Sequence, residues 1–365
     1  KGSSMQQITH RRKTGRTAAL LLCVITLLAG VMPVQAGTPG VTQPQLVQDI
    51  REGANGSTPE EMAVIGATLF FSANDGLIGR ELWRTSPPYT SVQKVADICP
   101  GGCSSEPGNL AVNGVTLFFT ANDGKHGFEL WRSEPPYVQA TTFLVADIHS
   151  DEGNANPAEI TPIGTAIFFR ADNGKDGVEL WRSDQPYIGA YQVKDIGPGS
   201  DSSTPRELTR IGWMLFFAAE DDSGVELWRS DPPYDGASTK QVVDINTEGS
   251  ANINWLTPLD LKLFFSATDG ESGQELWVID SPYHEARRVT DILGEAPNSN
   301  PNRMYALGDT LFFTAWIGPS GYELFRSEPP YEPTTTFLVE DLSDALFGSF
   351  PDEKVAIGST LFFNA

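Results

Sequence analysis

Histidine, cysteine and methionine are scarce in this 365-residue chain, at four, three and five residues. With so few histidines, and with no Gly-x-Ser-x-Gly elbow, His-Glu-x-x-His helix or phosphate loop, no common template for hydrolytic or phosphoryl-transfer chemistry is present. Cationic side chains are few as well: 25 Lys and Arg stand against 47 Asp and Glu, a net charge of −22. A surface this acidic repels phosphate backbones and anionic lipid, so neither nucleic acid nor a membrane surface is an expected partner. Continuous apolar sequence is confined to one stretch near the N-terminus, which excludes a bundle of membrane helices. Turn and core material, in contrast, is plentiful. There are 35 Gly and 26 Pro, with 40% apolar and 10% aromatic residues. That composition supplies a core and punctuates the chain too densely for long helices.

Residues 1–36 read as a secretory signal with a non-native or read-through start, because Lys1 to Ser4 precede the first methionine, Met5. The basic region is Arg11-Arg12-Lys13 with Arg16, and the apolar region runs from Ala18 to about Val34. Val34-Gln35-Ala36 then offers small residues at the positions a signal peptidase inspects. Gly30 and Pro33 interrupt the apolar stretch, which is short for a membrane span. Cleavage after Ala36 would remove five basic residues and no acidic ones, taking the net charge from −22 to −27. The expected address is secreted or cell-surface, with no membrane span left in the mature chain. There Cys99 and Cys103, in Cys-Pro-Gly-Gly-Cys, are expected to form a disulfide. Closing so small a loop contributes about 2 kcal/mol in the chain-entropy model. Two sulfurs without neighbouring ligands do not complete a zinc site.

The remaining sequence, 37–365, repeats itself. A Phe-Phe pair begins at Phe70, Phe118, Phe168, Phe216, Phe264, Phe312 and Phe362, in steps of 48, 50, 48, 48, 48 and 50 residues. Glu-Leu-Trp follows at Glu81, Glu129, Glu179, Glu226 and Glu275, and a sixth copy reads Glu323-Leu324-Phe325. An Asp followed by Ile or Leu closes each unit, from Asp49 to Asp341. Each unit divides into four short strands, in the first roughly 62–65, 68–73, 80–85 and 93–98, with Gly66 and Asn74-Asp75-Gly76 at turns. Four strands in about 48 residues leave no room for a helix and match a propeller blade. Adjacent phenylalanines point to opposite faces of a strand, and both need burial, as in a sheet covered on both sides. The expected fold is therefore all-β: a β-propeller of about seven four-stranded blades in a single domain. The N-terminal Leu46 to Ile50 matches a fourth strand, and the C-terminal 355–363 matches strands one and two. The two ends are expected to share a blade whose third strand is missing, so the last blade is incomplete: either the sequence is truncated at its C-terminus or its last blade has three strands.

The block Gly-x-Thr-Leu-Phe-Phe-Ser-Ala-Asn-Asp-Gly-x-x-Gly-x-Glu-Leu-Trp-Arg-Ser, followed by Leu-Val-Ala-Asp-Ile, resembles the ELWxxDGT repeat family of bacterial secreted or surface proteins. The clearest copies are 116–133 with 144–148 and 68–85 with 95–98. The resemblance covers about residue 46 to the end and implies a β-propeller without a settled activity. One departure is consistent. Where that family has Asp-Gly-Thr, this chain has Pro-Tyr, ending at Tyr89, Tyr137, Tyr187, Tyr234, Tyr283 and Tyr331.

In a four-stranded blade the turn between strands two and three and the link to the next blade emerge on one rim, here rich in carboxylate and amide oxygens. Ca²⁺ takes six to eight such ligands. Asp75, Asp123, Asp172, Asp221 and Asp269 are accordingly the candidate metal ligands, although hairpin turns alone already call for these residue types. The sixth turn, Ile317-Gly318-Pro319, has no Asp, which excludes a metal at every blade. The tryptophans of Glu-Leu-Trp recur in every strand three and read as packing between blades. Trp213, Trp255 and Trp316 break the repeat, and Trp255 and Trp316, in or beside rim loops, are the ligand candidates. His126, His149 and His284 form no repeated cluster; His149 with Asp151 and Glu152 is the one local group that hints at catalysis. The reading is a secreted or surface-exposed binding or adhesion scaffold with its ligand face, for a protein or polysaccharide, on the acidic rim. The alternative is a secreted carbohydrate-active enzyme, a lyase or glycoside hydrolase, since 47 acidic residues offer many carboxylate pairs.

Overall fold

The computed structural model describes residues 45–150, 152–294, 298–340 and 350–364. Those residues form six four-stranded antiparallel sheets and one two-stranded sheet, each a simple meander in chain order. Sheet 1 comprises Glu60–Ile65, Thr68–Asn74, Arg80–Thr85 and Gln93–Ala96. Sheets 2 to 6 repeat it over 108–146, 158–194, 206–243, 254–290 and 302–340, and sheet 7 is the pair Asp352–Ile357 and Thr360–Asn364. The strand boundaries lie within two residues of those expected from the turn signals. The first strand of each sheet lies against the first strand of the next, so the sheets follow one another as in a propeller. The fold is all-β and propeller-like.

The doubled phenylalanines join the sheets. The first Phe of one sheet and the second Phe of the next share one buried cluster: Phe70 with Phe119, Phe118 with Phe169, Phe168 with Phe217, Phe216 with Phe265, and Phe264 with Phe313. All of these rings are removed from water, which stabilises by roughly 1.5–3 kcal/mol per side chain. Leu82, Leu130, Leu180, Leu227 and Leu276, from Glu-Leu-Trp, pack on the same face as the first Phe. The tryptophan behind each leucine turns to the opposite face, where it lies across from the second Phe of its own sheet, as in Phe169 opposite Trp181. Trp181 and Trp228 are buried in this way.

The Pro-Tyr ending has a structural role. Each of the six is a cis X-Pro bond followed by a tyrosine at φ between 57° and 63°. In sheets 2 to 6 the tyrosine ring meets the first Phe of the preceding sheet edge-on, at 4.8 Å for Phe70 and Tyr137 and 4.9 Å for Phe216 and Tyr283. In five of the six its hydroxyl donates to a carbonyl in the first turn of its own sheet, as from Tyr283 to Leu261 at 2.8 Å and from Tyr331 to Asp309 at 2.9 Å, while that of Tyr187 accepts from Asn113. One side chain thus closes a hairpin and caps an interface between sheets.

The expected clasp is not formed among the described residues: 45–50 carry no strand, and no sheet combines described strands from both ends of the chain. A fourth strand pairs with a third, and sheet 7 has two strands among the described residues. The expected signal segment and Asp341 lie outside the described residues. Cys99 and Cys103 are joined in a disulfide with their Cα atoms 5.5 Å apart. No helix among the described residues is long and apolar enough to cross a membrane.

Candidate functional site

The rim is shaped by the glutamate of Glu-Leu-Trp, which is wholly buried in sheets 1 to 6. In sheet 1 the Glu81 carboxylate accepts from the Ile98 amide at 3.1 Å and from Ser105 through its amide at 3.2 Å and its hydroxyl at 2.6 Å. Glu179 does the same for Ile196, Gly197 and Ser203, and Glu275 for Ile292 and Ser299. Glu129 holds Ile148, His149 and Ala155, where alanine replaces the serine. Each carboxylate therefore ties its own sheet to the link entering the next. Burial pushes Glu81, Glu129 and Glu226 up to about 7, against the opposing pull of these hydrogen bonds. Glu226 is the least satisfied: Ala251 donates to one oxygen at 2.8 Å, while the other has no partner among the described residues. A group that is buried, acidic and repeated in sheets 1 to 6 is a staple, and it leaves the rim's variable residues to meet ligand.

Those variable residues stand on one backbone device. The first strand of every sheet slips register at its second residue. That residue has a left-handed backbone in all seven sheets: Glu61, Asn109, Glu159, Glu207, Trp255, Arg303 and Glu353, with φ between 46° and 62°. None is glycine, so each bulge carries a side chain at a conformation that costs roughly 1–2 kcal/mol. Because first strands are neighbours, the seven bulges form an arc where the links enter the sheets. Two are joined directly: Glu61 accepts from the Asn109 amide at 2.9 Å, and Glu207 from the Leu256 amide beside Trp255 at 2.6 Å. Arg303 pairs with Asp352 at 3.0 Å. Trp255 is 44% exposed. Beside Asn109 a cavity of about 190 Å³ opens among Glu106, Thr120, Phe128, Asn156 and Pro157. The arc thus combines carboxylates, an ion pair and an open indole. Repeated left-handed non-glycine residues are a backbone outlier of the sort that points to function.

The structure places the expected site residues unequally. Trp255 is on the arc. Trp316 ends a strand, half-buried, with its ring 5.4 Å from Tyr322, which in turn packs on Phe350. Trp213 is exposed on the opposite rim, over Gly164 in the turn of the preceding sheet. The turn aspartates organise their own hairpins: Asp75 accepts from Leu77 at 2.9 Å and Ile78 at 3.0 Å, and Asp123 and Asp269 do likewise. Both oxygens are occupied in Asp123, which bonds His126 at 2.7 Å, and in Asp269, which bonds Ser272. Burial raises the Asp123 carboxyl, but hydrogen bonds from His126 and Lys125 outweigh it and hold the group below its ordinary value. Asp172 and Asp221 are not equivalent to these three. Asn173 fills the Asp75 role in sheet 3, and Asp172 instead accepts from Gly174. In sheet 4 the hairpin is one residue shorter, and Asp221 bonds Ser223. Among the described residues no three His, Cys, Asp or Glu side chains gather in an arrangement that could hold a metal ion. His149 is wedged between the next link and the next turn: a Cβ on Gly174, at φ 75°, would stand 2.3 Å from its Nε2. Asp151, expected beside it, lies outside the described residues.

No family model matches the chain, and no curated protein does. Solved structures do. The chain is similar to a computationally designed protein, Ika8, with a TM-score of 0.50 and 14% identity over 88% of this chain and 84% of that one. It is also similar to a Mycobacterium tuberculosis puromycin-hydrolyzing peptidase, with a TM-score of 0.48 and 11% identity over 80% of this chain and 47% of that one. The β-propeller domain of the Trilobed protease from Pyrococcus furiosus gives a TM-score of 0.45 and 8% identity over 76% of this chain and 84% of that domain. The chain spans about half the length of the peptidase. At these identities the likeness concerns the fold alone.

Proposed function

We propose that this chain is a secreted or surface-exposed propeller scaffold that binds a protein or polysaccharide partner on its acidic rim, at the arc of left-handed bulges. One observation carries the reading. At the bulge the backbone is the same in all seven sheets while the side chains are Glu, Asn, Glu, Glu, Trp, Arg and Glu. The buried positions do the opposite and repeat their side chains. A constant backbone with varied side chains, exposed at Glu61, Asn109, Trp255 and Glu353 and half-buried at Glu159, Glu207 and Arg303, is what a binding surface needs, because specificity comes from side chains held on a rigid frame. The net charge of −22 favours a cationic partner and a fast, salt-sensitive encounter. The basic, apolar and Ala36-ended N-terminus supports export. The Glu-Leu-Trp block supports kinship with the ELWxxDGT repeats. Closure into seven blades is part of the same proposal, and two half-covered rings support it. Phe362 is 50% exposed and Tyr89 only half-buried, and in a closed ring they would be the two halves of a sixth edge-on pair beside the five observed.

Ca²⁺ belongs to this reading at the second carboxylate oxygens of Asp75 and Asp172, which the turn hydrogen bonds named above do not use. Titration of oligolysine and of a neutral oligosaccharide into the chain, with EDTA and then with Ca²⁺, tests the rim. Saturable binding of either probe, weakened at least tenfold by Trp255→Ala, is expected. Binding untouched by Trp255→Ala and Glu159→Gln together would move the site elsewhere, and a melting temperature equal in EDTA and Ca²⁺ would remove the metal.

A further inference from the structure

One seat beside the arc recurs from sheet to sheet, and a nitrogen donor fills it in three of them. In sheet 1 the Arg80 guanidinium donates to the Thr58 carbonyl at 2.9 Å, to the Ser72 hydroxyl at 3.3 Å and to the Thr58 hydroxyl. Its Nε also lies 3.3 Å from the Glu106 carboxylate, on the link entering sheet 2. In sheet 5 the Gln274 side-chain amide does the same, donating to the Asn252 carbonyl at 2.9 Å and to the Ser266 hydroxyl at 3.0 Å. The spacing is identical in the two sheets, 22 residues from carbonyl to donor and 8 from hydroxyl to donor. Between sheets 6 and 7 the Lys354 ammonium donates to the Thr314 hydroxyl and to the Pro351 carbonyl, each at 3.1 Å.

Sheet 2 repeats the acceptors but not the donor. Thr120 pairs with the start of its first strand as Ser72, Ser266 and Thr314 do, and Glu106 stands 22 residues before Phe128 as Thr58 does before Arg80. Phe128 lies opposite Asn122 as Arg80 lies opposite Asn74, and its side chain has no N–H. Gly108 stands where sheet 1 has Glu60 and leaves space. The cavity of about 190 Å³ is lined by these residues and by Pro157. The Thr120 hydroxyl donates to the Pro157 carbonyl as that of Thr314 does to Pro351, so the pair of oxygens that Lys354 caps is present here too. The Asn109 side chain approaches the same two oxygens only at 3.5 and 3.3 Å, the weak end of the hydrogen-bond range. A space this small suits one head group and not a drug-sized molecule. Glu106 adds negative charge, and Phe128 adds an aromatic ring, which attracts cations.

We propose that this cavity is a recognition seat for one guanidinium head group, carried by an arginine residue or by a small alkylguanidine. The head group donates to the Glu106 carbonyl and the Thr120 hydroxyl, the counterparts of the groups Arg80 uses, and pairs with the Glu106 carboxylate by charge-assisted hydrogen bonds. The proposal rests on the reading of this rim as a ligand face and names the chemistry of one seat on it.

The test is a nuclear magnetic resonance titration of the full chain with acetyl-arginine amide. Saturable shifts are expected at the amides of Gly108, Asn109 and Thr120. Acetyl-citrulline amide, of the same shape without the charge, should bind at least tenfold more weakly. Thr120→Val keeps the shape and removes the hydroxyl, and should weaken binding at least fivefold. Phe128→Arg supplies a guanidinium from within, as Arg80 does, and should abolish the shifts. Tighter binding of acetyl-Gly-Arg-Gly amide than of butylguanidinium marks an arginine residue as the source, and equal binding marks a small alkylguanidine. Absence of saturable shifts, equal binding of the citrulline compound, or binding undiminished in Thr120→Val or in folded Phe128→Arg would each overturn the seat. Oligolysine binding that persists where acetyl-arginine amide fails overturns the seat alone, while failure of both takes the rim reading with it.

Discussion

Phe216 and Phe362 occupy the same place in sheets 4 and 7, yet the first is at 0% exposure and the second at 50%. Phe312, in sheet 6, is intermediate. Their strands share Leu-Phe-Phe and follow the same bulge in the preceding strand, so these features do not make the difference. Phe216 is covered by Phe265 and Tyr283 from sheet 5. Among the described residues no following sheet covers Phe362. In this fold a side chain is buried by its neighbour's sheet and not by its own, which makes stability a property of interfaces between units.

The largest expected effect breaks that comparison directly. Phe216→Ala should destabilise by about 3–5 kcal/mol, the range for emptying a large aromatic site in a core. Phe362→Ala should cost less than about 1 kcal/mol, as for a surface substitution. Denaturant unfolding of both variants decides it, and equal losses would mean that sheet 7 is covered in solution.

The second expectation compares two serines. Glu275→Ala leaves the Ser299 amide and hydroxyl and the Ile292 amide without their acceptor. Stranding these groups should cost about 2–4 kcal/mol, at 1–3 kcal/mol for each buried unpaired group with partial relief by water. Ser57→Ala, at a link with no such carboxylate, should change stability by less than about 0.5 kcal/mol. Thermal melts of the two variants measure the contrast.

The smallest effect is in pH. Burial lifts Glu81, Glu129 and Glu226 to about 7 in the folded chain, from an ordinary value of 4.5. Between those values the folded state binds more protons than the unfolded one, so stability falls as pH rises. The contribution is fully present below the unfolded value and is lost as pH passes through 7. The melting temperature should therefore be higher at pH 5 than at pH 8. Glu226→Gln, which keeps an acceptor for the Ala251 amide, should flatten that slope by removing one titrating group. A variant slope as steep as the parent's would show that general relief of acidic repulsion, and not this carboxyl, sets the trend.

Much of this was legible beforehand. The Phe-Phe pairs announced sheets covered on both faces, because adjacent residues of a strand cannot share a face. The Gly and Asn-Asp-Gly turns placed the strand ends. The staples were harder to read: Glu81 looks like a rim oxygen in sequence, and its burial depends on Ser105, 24 positions later. The arc was invisible, because Glu, Asn, Trp and Arg at one aligned position look like drift until their common positive φ is seen. Trp255 was noticed for breaking the repeat, and that deviation was the one sequence signal of the arc. Asp172 and Asp221 were grouped with Asp75 because a one-residue shift within a turn leaves composition unchanged while moving the side chain to another donor.

The amino-acid sequence by itself determined the strand lengths, the turns, the meander order and the need to bury two aromatic residues per unit, because each follows from torsional preference and apolar periodicity over a few residues. Only the tertiary structure decided which glutamates are staples, which exposed groups share the arc and which phenylalanine goes uncovered. Those outcomes depend on groups far apart in the chain, 24 residues for Glu81 and Ser105 and 48 for Glu61 and Asn109, meeting across links and sheets, and no local rule encodes such a meeting.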